Sequence, residues 1–175
     1  MPKSLSLFIF ENLKRRKKIK RASILQNSFY LRKMKEGDLP YILEIENVSF
    51  PNPWREMTFR GEICNQPISF PLVIVFKPQK KVIGYLVFWQ IKEQMQINNI
   101  AIHPDYRRMG IAEAVLHQVL SEVRMEGAKL VTLEVRPSNI AARTLYNKLG
   151  FDVLGIKEDY YHDPPEPALV MGKKL

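Results

Sequence analysis

Residues 99–112 read NIAIHPDYRRMGIA and form a basic turn between a strand-like segment and a strongly helical one. The first backbone N–H groups of a helix have no partner inside that helix, and the helix dipole favours negative charge beside them. Gly110 and the small Ala112 let a phosphate approach the backbone, while Arg107 and Arg108 add positive charge. The turn therefore indicates an anion cradle, although a basic turn without a ligand has the same pattern.

Two common phosphate-binding loops are excluded by the same residues. A Walker A loop needs Gly-Lys followed by Ser or Thr, and a dinucleotide fingerprint needs three closely spaced glycines. Residues 107–112 contain a single glycine and no lysine. Neither motif therefore identifies the anion that this turn suits.

The segments on both sides of the turn predict a mixed α and β domain. Apolar residues recur at helical spacing after Gly110, and Gly127 is a suitable residue to end that helix. Elsewhere, β-branched and aromatic runs separated by turn residues predict strands. Strands are predicted at 29–34, 71–76, 82–91, 96–102, 130–135, 151–154 and 168–171, and helices at 40–48, 55–64, 110–127 and 139–149.

Composition excludes several classes of protein. A chain of 175 residues, of which 46% are hydrophobic and 26% charged, predicts one folded domain. The single cysteine, Cys64, rules out an internal disulfide and a cysteine-rich zinc site, and three histidines at unrelated spacings argue against a histidine metal site. No apolar run reaches the roughly 18 residues that span a membrane. We therefore expect no metal and no membrane span.

The positive charge is concentrated at the N-terminus. Residues 1–28 contain eight Lys or Arg and one acid, a net charge of +7, whereas the remaining residues carry only +2 of the total +9. We expect residues 1–27 to be a basic, disordered extension and residues 28–175 to be the folded domain. The extension can contact RNA or the ribosome, or stay solvated without a partner. It does not have the order of a signal peptide, so we expect a cytoplasmic protein.

Residues 99–112 resemble the acetyl-CoA-binding motif of the Gcn5-related N-acetyltransferase (GNAT) superfamily, which has the pattern Q/R-x-x-G-x-G/A. Residues 133–139 and 142–151 resemble the second half of the same fold, so the likeness extends from Tyr30 to about Gly172. It implies a single mixed α/β acyltransferase domain with a twisted, mostly antiparallel sheet of about seven strands, a splayed wedge in that sheet and about four flanking helices. It also implies acetyl-CoA as the co-substrate.

Within that superfamily, the sequence is most similar to the ribosomal-protein-alanine N-acetyltransferases, the RimI subfamily. The shared features are Phe50-Pro51 and Pro53-Trp54 after the first helix, residues 133–139, Tyr146 twelve residues after Glu134, and Tyr160-Tyr161. The resemblance implies acetylation of the N-terminal alanine of a small-subunit ribosomal protein. Two departures are the basic extension and Glu113, a carboxylate beside the expected anion site.

The resemblance also implies roles for individual residues. Those matched to coenzyme binding are Ile100, Ala101, Ile102, Arg107, Arg108, Met109, Gly110, Ile111, Ala112 and Asn139. Glu134 is matched to the general base, and Tyr146 to the general acid that protonates the coenzyme thiolate. A distortion in the strand that holds residues 100–102 is also implied, and it opens the wedge. The backbone N–H that this distortion frees, expected at Ile102, is the donor to the thioester oxygen.

Pattern alone favours other interpretations of three of these residues. Glu134 occupies an outward position on an alternating strand, and Tyr146 suits a core aromatic beside Leu145. Asn139 can cap the following helix as well as hold the coenzyme. For Tyr146, unperturbed pKa values of about 10 for a phenol and about 8.5 for a thiol make the proton transfer uphill by only about 1.5 pKa units.

The kind of amine that accepts the acetyl group is predicted from the fraction of that amine that is uncharged at pH 7. An α-amino group with a pKa near 7.8 is about one-tenth neutral at pH 7, whereas a lysine near 10.4 is almost fully charged, so one carboxylate base suits an N-terminus better. Phe50, Trp54, Tyr160 and Tyr161 either wall a slot for that N-terminus or pack in the core. The alternatives are an enzyme for a small amine, a polyamine or an internal lysine, and a coenzyme-binding regulator without catalysis.

Overall fold

The computed structural model describes residues 28–65 and 67–175. One strand and two helices are followed by three consecutive strands, and helices alternate with strands only after these. The strands are β1 (Phe29–Lys33), β2 (Ser69–Phe76), β3 (Lys81–Ile91), β4 (Gln94–Ile102), β5 (Leu130–Val135), β6 (Asp152–His162) and β7 (Pro165–Lys174). The helices are α1 (Leu39–Asn47), α2 (Glu56–Cys64), α3 (Ile111–Met125) and α4 (Ile140–Lys148). The extension predicted at residues 1–27 lies outside the described residues.

The strands form one sheet in the order β1-β2-β3-β4-β5-β7-β6. Neighbouring strands are antiparallel except β4 and β5, which run parallel because α3 crosses between them. The predicted mixed α/β class with a mostly antiparallel sheet is confirmed. None of the helices in the described part of the chain is long and apolar enough to cross a membrane.

Helices cover both faces of the sheet and create two cores. The α3-side core lies between the sheet and α3, where Val115 and Val119 are buried. The α1-side core lies against α1 and α2 and contains Ile42 and Phe59. Strands buried on both faces read as continuous apolar runs rather than alternating ones, which is the pattern of β2 and β3.

β4 and β5 separate part-way along their length. Their parallel pairing runs from Gln94–Leu130 to Ile97–Leu133 and then stops. Beyond that point β4 continues on β3 alone, and the end of β5 pairs only with β7. The sheet therefore opens into a wedge between residues 98–102 and residues 134–135.

A β-bulge in β4 lies where the wedge opens. Val87 of β3 pairs with Asn99 and Phe88 pairs with Ile97, which leaves Asn98 without a partner on β3. A bulge adds one residue to one strand and so reverses the alternation of side chains beyond it. Odd-numbered residues of β4 face the α3-side core before the bulge, and even-numbered residues do so after it.

The last hairpin is longer than predicted. β6 runs to His162 and β7 begins at Pro165, although strands were expected only at 151–154 and 168–171. β6 is at the edge of the sheet and nearly all of its residues are exposed. An edge strand without a buried face shows no apolar alternation, so the charged residues 157–159 resemble a loop in the sequence.

Candidate active site

The Arg107 side chain stabilises the turn between β4 and α3 through two hydrogen bonds. Its Nε donates to the Ile102 carbonyl at 2.8 Å, and its Nη2 donates to Ser49 Oγ, just after α1, at 2.7 Å. Arg108 and Gly110 adopt left-handed backbone angles, with φ of 59° and 75°. Gly110 is the N-cap residue of α3, and the helix geometry leaves the N–H groups of residues 111–113 without partners inside the helix.

A cavity of about 240 Å³ lies against this turn and the start of α3. Six of the residues matched to the coenzyme line it: Ile102, Arg107, Arg108, Gly110, Ile111 and Ala112. Four others complete the lining: Tyr106, Glu113, Ala141 and Leu145. The helix N-terminus, the glycine and the two arginines are groups that suit a phosphate.

The other four matched residues lie outside the cavity lining. Ala101 is buried in the α1-side core, so it can meet a coenzyme only through its backbone, and Ile100 packs partly buried against the α3-side core. Met109 is exposed on the turn. Asn139 Oδ1 accepts the Ala142 N–H at 3.1 Å and caps α4, which is the second of the two roles considered for it.

Glu113, the carboxylate beside the anion cradle, has a cationic partner. Its Oε2 lies 2.7 Å from Nζ of Lys148, at the end of α4. The ammonium group offsets the carboxylate charge, so an anion in the cavity does not face an isolated negative group. The sequence did not pair Lys148 with Glu113, because the two residues are 35 positions apart.

The backbone of Ile102 points into the wedge. The His103 N–H donates to the Ile83 carbonyl at 2.8 Å, so these residues form a hydrogen-bonded pair at the end of β4. The next pair, Ile102 and Gly84, is then a non-hydrogen-bonded pair, whose N–H and C=O groups point away from each other. Arg107 binds the Ile102 carbonyl on that side, and the Ile102 N–H faces the same open space.

Glu134 lies at the mouth of the wedge. Its Oε2 accepts a hydrogen bond from Gln96 Nε2 on β4 at 3.1 Å, and its Oε1 accepts one from Lys157 Nζ on β6 at 2.6 Å. The side chain is only 12% exposed, although strand alternation alone predicts an outward, solvated position. The bond to Glu134 raises the pKa of Lys157, so this ammonium is charged at neutral pH. The carboxylate is thus held from both sides of the opening.

Tyr146 is buried in α4. It is 6% exposed, and its ring centroid lies 5.7 Å from that of Phe151. Burial raises the pKa of Tyr146 above its ordinary value, and the neighbouring Tyr161 raises it further. The small difference of about 1.5 pKa units expected from unperturbed groups is therefore wrong for this structure, because the buried phenol is a weaker acid than free tyrosine.

Arg136 holds the end of the last hairpin. Its guanidinium lies 3.9 Å from the centre of the Tyr161 ring and donates to the carbonyls of Pro164 and Asp163 at 2.9 and 3.1 Å. Tyr160 and Tyr161 meet edge to face with ring centroids 4.9 Å apart. Burial raises the pKa of Tyr161 to about 12, so this phenol is neutral throughout the physiological range.

The loop that carries Phe50 and Trp54 contacts the turn that follows Tyr160 and Tyr161. Asn52 Nδ2, in the loop between α1 and α2, donates to the Asp163 carbonyl in the turn between β6 and β7 at 2.7 Å. On the hairpin side, the Nζ of Lys157 lies 5.4 Å from the centre of the Tyr160 ring. Because Lys157 also binds Glu134, this tyrosine stands beside the wedge.

The aromatic residues on the loop side have a packing role. The Trp54 ring lies against Phe59 with centroids 5.4 Å apart, in the α1-side core. Phe50 packs partly buried against the same core. The structure thus brings the loop and the hairpin together, with Phe50 and Trp54 packed partly buried against the α1-side core.

Glu46 is a site residue that the sequence motifs did not indicate. This residue lies on α1 one turn after Ile42, on the face that packs in the α1-side core. Its carboxylate binds Trp54 N, Tyr85 and Asn99. The sequence could have pointed to Glu46, because it places a carboxylate where the helical spacing of apolar residues predicts an apolar side chain.

The sequence model of the acetyltransferase (GNAT) family matches residues 39–151. The chain belongs to the GNAT family. The ribosomal protein bS18-alanine N-acetyltransferase of Escherichia coli K12 is 33% identical over 136 residues, which are 77% of this chain and 89% of that protein. A Bacillus subtilis relative with a provisional assignment to the same activity is 36% identical over 141 residues, 81% of this chain and 92% of that protein.

A solved structure extends the likeness of this GNAT domain. The crystal structure of the ribosomal-protein-S18-alanine N-acetyltransferase from Escherichia coli matches with a TM-score of 0.75 at 29% identity, over 83% of this chain and 93% of that one. The GNAT domain is an acetyl-CoA-dependent N-acetyltransferase. Within residues 28–65 and 67–175, no three His, Cys, Asp or Glu side chains form a group that could hold a metal ion.

Proposed function

We propose that this GNAT enzyme transfers the acetyl group of acetyl-CoA to the N-terminal alanine amine of a small-subunit ribosomal protein. The observation that carries the substrate is the 33% identity to the Escherichia coli bS18-alanine N-acetyltransferase over 89% of its length. The placement of Glu134 between Gln96 and Lys157 supports the chemistry, because a base for an amine belongs in the wedge.

Coenzyme binding is assigned to the cradle and to the free edge of β4. Acetyl-CoA supplies an activated acetyl thioester on an extended arm that ends in a pyrophosphate. Arg108 and residues 111–113, whose N–H groups have no partner inside α3, line the cavity where that anion fits. Residues 100–102 offer backbone groups to the arm, because β5 no longer pairs with them.

Three groups of the chain act on the reacting atoms. Glu134 accepts the proton that the amine loses, directly or through water. The Ile102 N–H donates to the carbonyl oxygen as negative charge develops there. Tyr146 donates the proton to the departing thiolate, and its raised pKa keeps the phenol protonated until that charge appears beside it.

The role of residues 1–27 is a separate part of the proposal. We assign this basic extension to contact with RNA or the ribosome in a cytoplasmic protein. The reason is that the extension carries +7 of the net charge of the chain, whereas all other residues together carry +2. Deleting residues 1–27 should abolish salt-dependent RNA binding and leave the acetylation of a short peptide unchanged. Undiminished RNA binding by the shortened chain would contradict this assignment.

A matched pair of peptides tests the acceptor class. Both carry the same sequence with an N-terminal alanine and one internal lysine, and the second has its N-terminus blocked. We expect mass spectrometry to find acetyl on the α-amine of the first peptide and none on the second, since the α-amine supplies far more neutral nucleophile. Label on the lysine of the blocked peptide would move the substrate to lysines or small amines.

A further inference from the structure

A buried carboxylate that has no part in the proton transfers lies beneath residues 48–55. These residues join α1 to α2 and are called here the substrate-side loop. Glu46 is 1% exposed and projects from α1 into the α1-side core, near Ile42 and Ile45. Burying a carboxylate among apolar side chains costs free energy unless donors surround it. An apolar residue would fill this position at lower cost, so Glu46 has to be explained by its contacts.

The partners of Glu46 are all hydrogen-bond donors. The Trp54 N–H donates to Oε1 at 2.7 Å, and Asn99 Nδ2 lies 3.2 and 3.3 Å from the two carboxylate oxygens. The Tyr85 hydroxyl donates to Oε2. Burial raises the pKa of Glu46, and the donors from Tyr85, Trp54 and Asn99 oppose that rise. An acceptor-only, ionised carboxylate satisfies all three partners at once.

These donors come from the two sides of the active site. Trp54 belongs to the loop between α1 and α2, which contacts the β6–β7 turn through Asn52. Asn99 is the first residue after the bulge in β4 and precedes residues 100–102. Tyr85 of β3 pairs with Ala101 in that same segment. One carboxylate therefore ties the loop that meets the acceptor to the strand that meets the coenzyme.

We propose that Glu46 is a positioning residue that fixes the substrate-side loop relative to the bulged segment of β4, and so sets the approach of the acceptor amine to the thioester. The inference rests on the proposed function, because it assigns the loop to the acceptor and the strand to the coenzyme. Displacements of about 1 Å at reacting atoms can cost about 100-fold in rate, which is the scale on which such a tie matters.

Glu62 provides a matched control elsewhere in the same core. It is a buried carboxylate on α2 that accepts hydrogen bonds from Ser69 Oγ at 2.5 Å and from Trp89 Nε1 at 2.7 Å. Its bonds to Ser69 and Trp89 join α2 to β2 and β3, and neither partner belongs to β4 or to the substrate-side loop. Glu62→Gln thus alters a second buried carboxylate without touching the substrate-side loop or residues 98–102 of β4.

The test compares Glu46→Gln with Glu62→Gln in the full chain. We expect Glu46→Gln to raise KM for an alanine-starting peptide about tenfold and to lower kcat about tenfold, because the acceptor is misplaced. The coenzyme Kd should stay within about twofold, since the cradle lies on α3. Glu62→Gln should lose stability but keep wild-type KM and kcat. Equal kinetics in the two variants would overturn the proposal.

Hydrogen exchange gives a second readout that needs no acceptor. The Trp54 amide and the rest of residues 48–55 should exchange faster in Glu46→Gln than in Glu62→Gln. Glutamine offers one acceptor oxygen to three donors where glutamate offers two, so the bond from the Trp54 N–H is weakened. Equal exchange rates in both variants would contradict the proposal that Glu46 holds the substrate-side loop in place. If Glu46→Gln does not fold, Tyr85→Phe removes one donor and keeps the carboxylate, and it should raise KM about threefold; an unchanged KM would count against the proposal.

The proposed substrate and this inference can fail separately. If the wild-type enzyme acetylates another amine and not an N-terminal alanine, the substrate assignment is wrong, and the two variants are compared with the amine that is modified. A KM that still rises only in Glu46→Gln then supports Glu46 as a positioning residue.

Discussion

The carboxylate of Glu134 lies 3.1 Å from Gln96 on β4 and 2.6 Å from Lys157 on β6, so its position depends on both sides of the wedge. Glu134→Gln keeps the size of the side chain but removes a group that can take a proton. We expect turnover to fall about 100-fold or more at pH 7. The loss should be smaller at pH 9, where the α-amine is already largely neutral.

Steady-state kinetics with an alanine-starting peptide measure this loss. Glu93→Gln is the matched control, because Glu93 forms an ion pair with Lys129 at 2.6 Å but lies in the exposed turn between β3 and β4. The control should keep the wild-type rate. Full turnover in Glu134→Gln would remove Glu134 from the mechanism.

The contribution of the Tyr146 hydroxyl to turnover can be measured separately from that of the ring. Tyr146→Phe keeps the ring that packs against Phe151 and removes only the O–H. We expect turnover to fall about tenfold to 100-fold, because the thiolate then leaves without an acid. Calorimetry should show nearly unchanged coenzyme affinity, and a variant with the wild-type rate would show that the tyrosine is a core residue only.

The same residue predicts an effect of alkaline pH on stability. The folded pKa of Tyr146 is raised above the unfolded value of about 10, so the folded chain holds this proton more tightly than the unfolded chain. The stability it contributes is complete below about pH 10 and is lost as pH rises further. Between pH 9 and pH 11, wild type should therefore lose more unfolding free energy than Tyr146→Phe in denaturant titrations. Equal losses would contradict the burial of an ionisable phenol.

At the scale of elements, the turn before α3 combines backbone strain with charge. Gly110 has a φ of 75°, where an L side chain costs about 1–2 kcal/mol. Gly110→Glu also places a carboxylate at the open helix N-terminus, so we expect coenzyme affinity to fall about 100-fold or more, which is about 2.7 kcal/mol. Met57→Glu, in the exposed first turn of α2, is the control and should bind normally. Normal binding by Gly110→Glu in calorimetry would refute the cradle.

The elements differ in how far their sequences predict them. α3 shows a clear apolar stripe between two glycines, and its predicted and observed bounds differ by two residues or fewer. β6 was predicted too short, because an exposed edge strand has no buried face to impose alternation. The resemblance implied a distortion in the strand that holds residues 100–102, but nothing in the sequence placed the bulge at Asn98. Its position is set by how β4 pairs with β3, which local pattern does not specify.

At the scale of the whole molecule, the site depends on contacts between distant parts of the chain. The wedge exists because β5 pairs with β4 only as far as Leu133 and then continues with β7. The resemblance supplied this topology, whereas periodicity supplied only the separate elements. Motifs pointed to Glu134 and Tyr146, but the ties made by Glu46 and Lys148 were missed because their partners lie far away in sequence.

The central claim is that the wedge acetylates an N-terminal alanine. The direct measurement is mass spectrometry of a peptide panel incubated with acetyl-CoA and the full chain, in which peptides differ only in the first residue: Ala, Ser, Met, Gly or Glu. We predict acetyl on the α-amine, fastest for the alanine peptide and absent without enzyme. Equal rates across the panel, a faster rate for another first residue, or no α-amine label would contradict the claim.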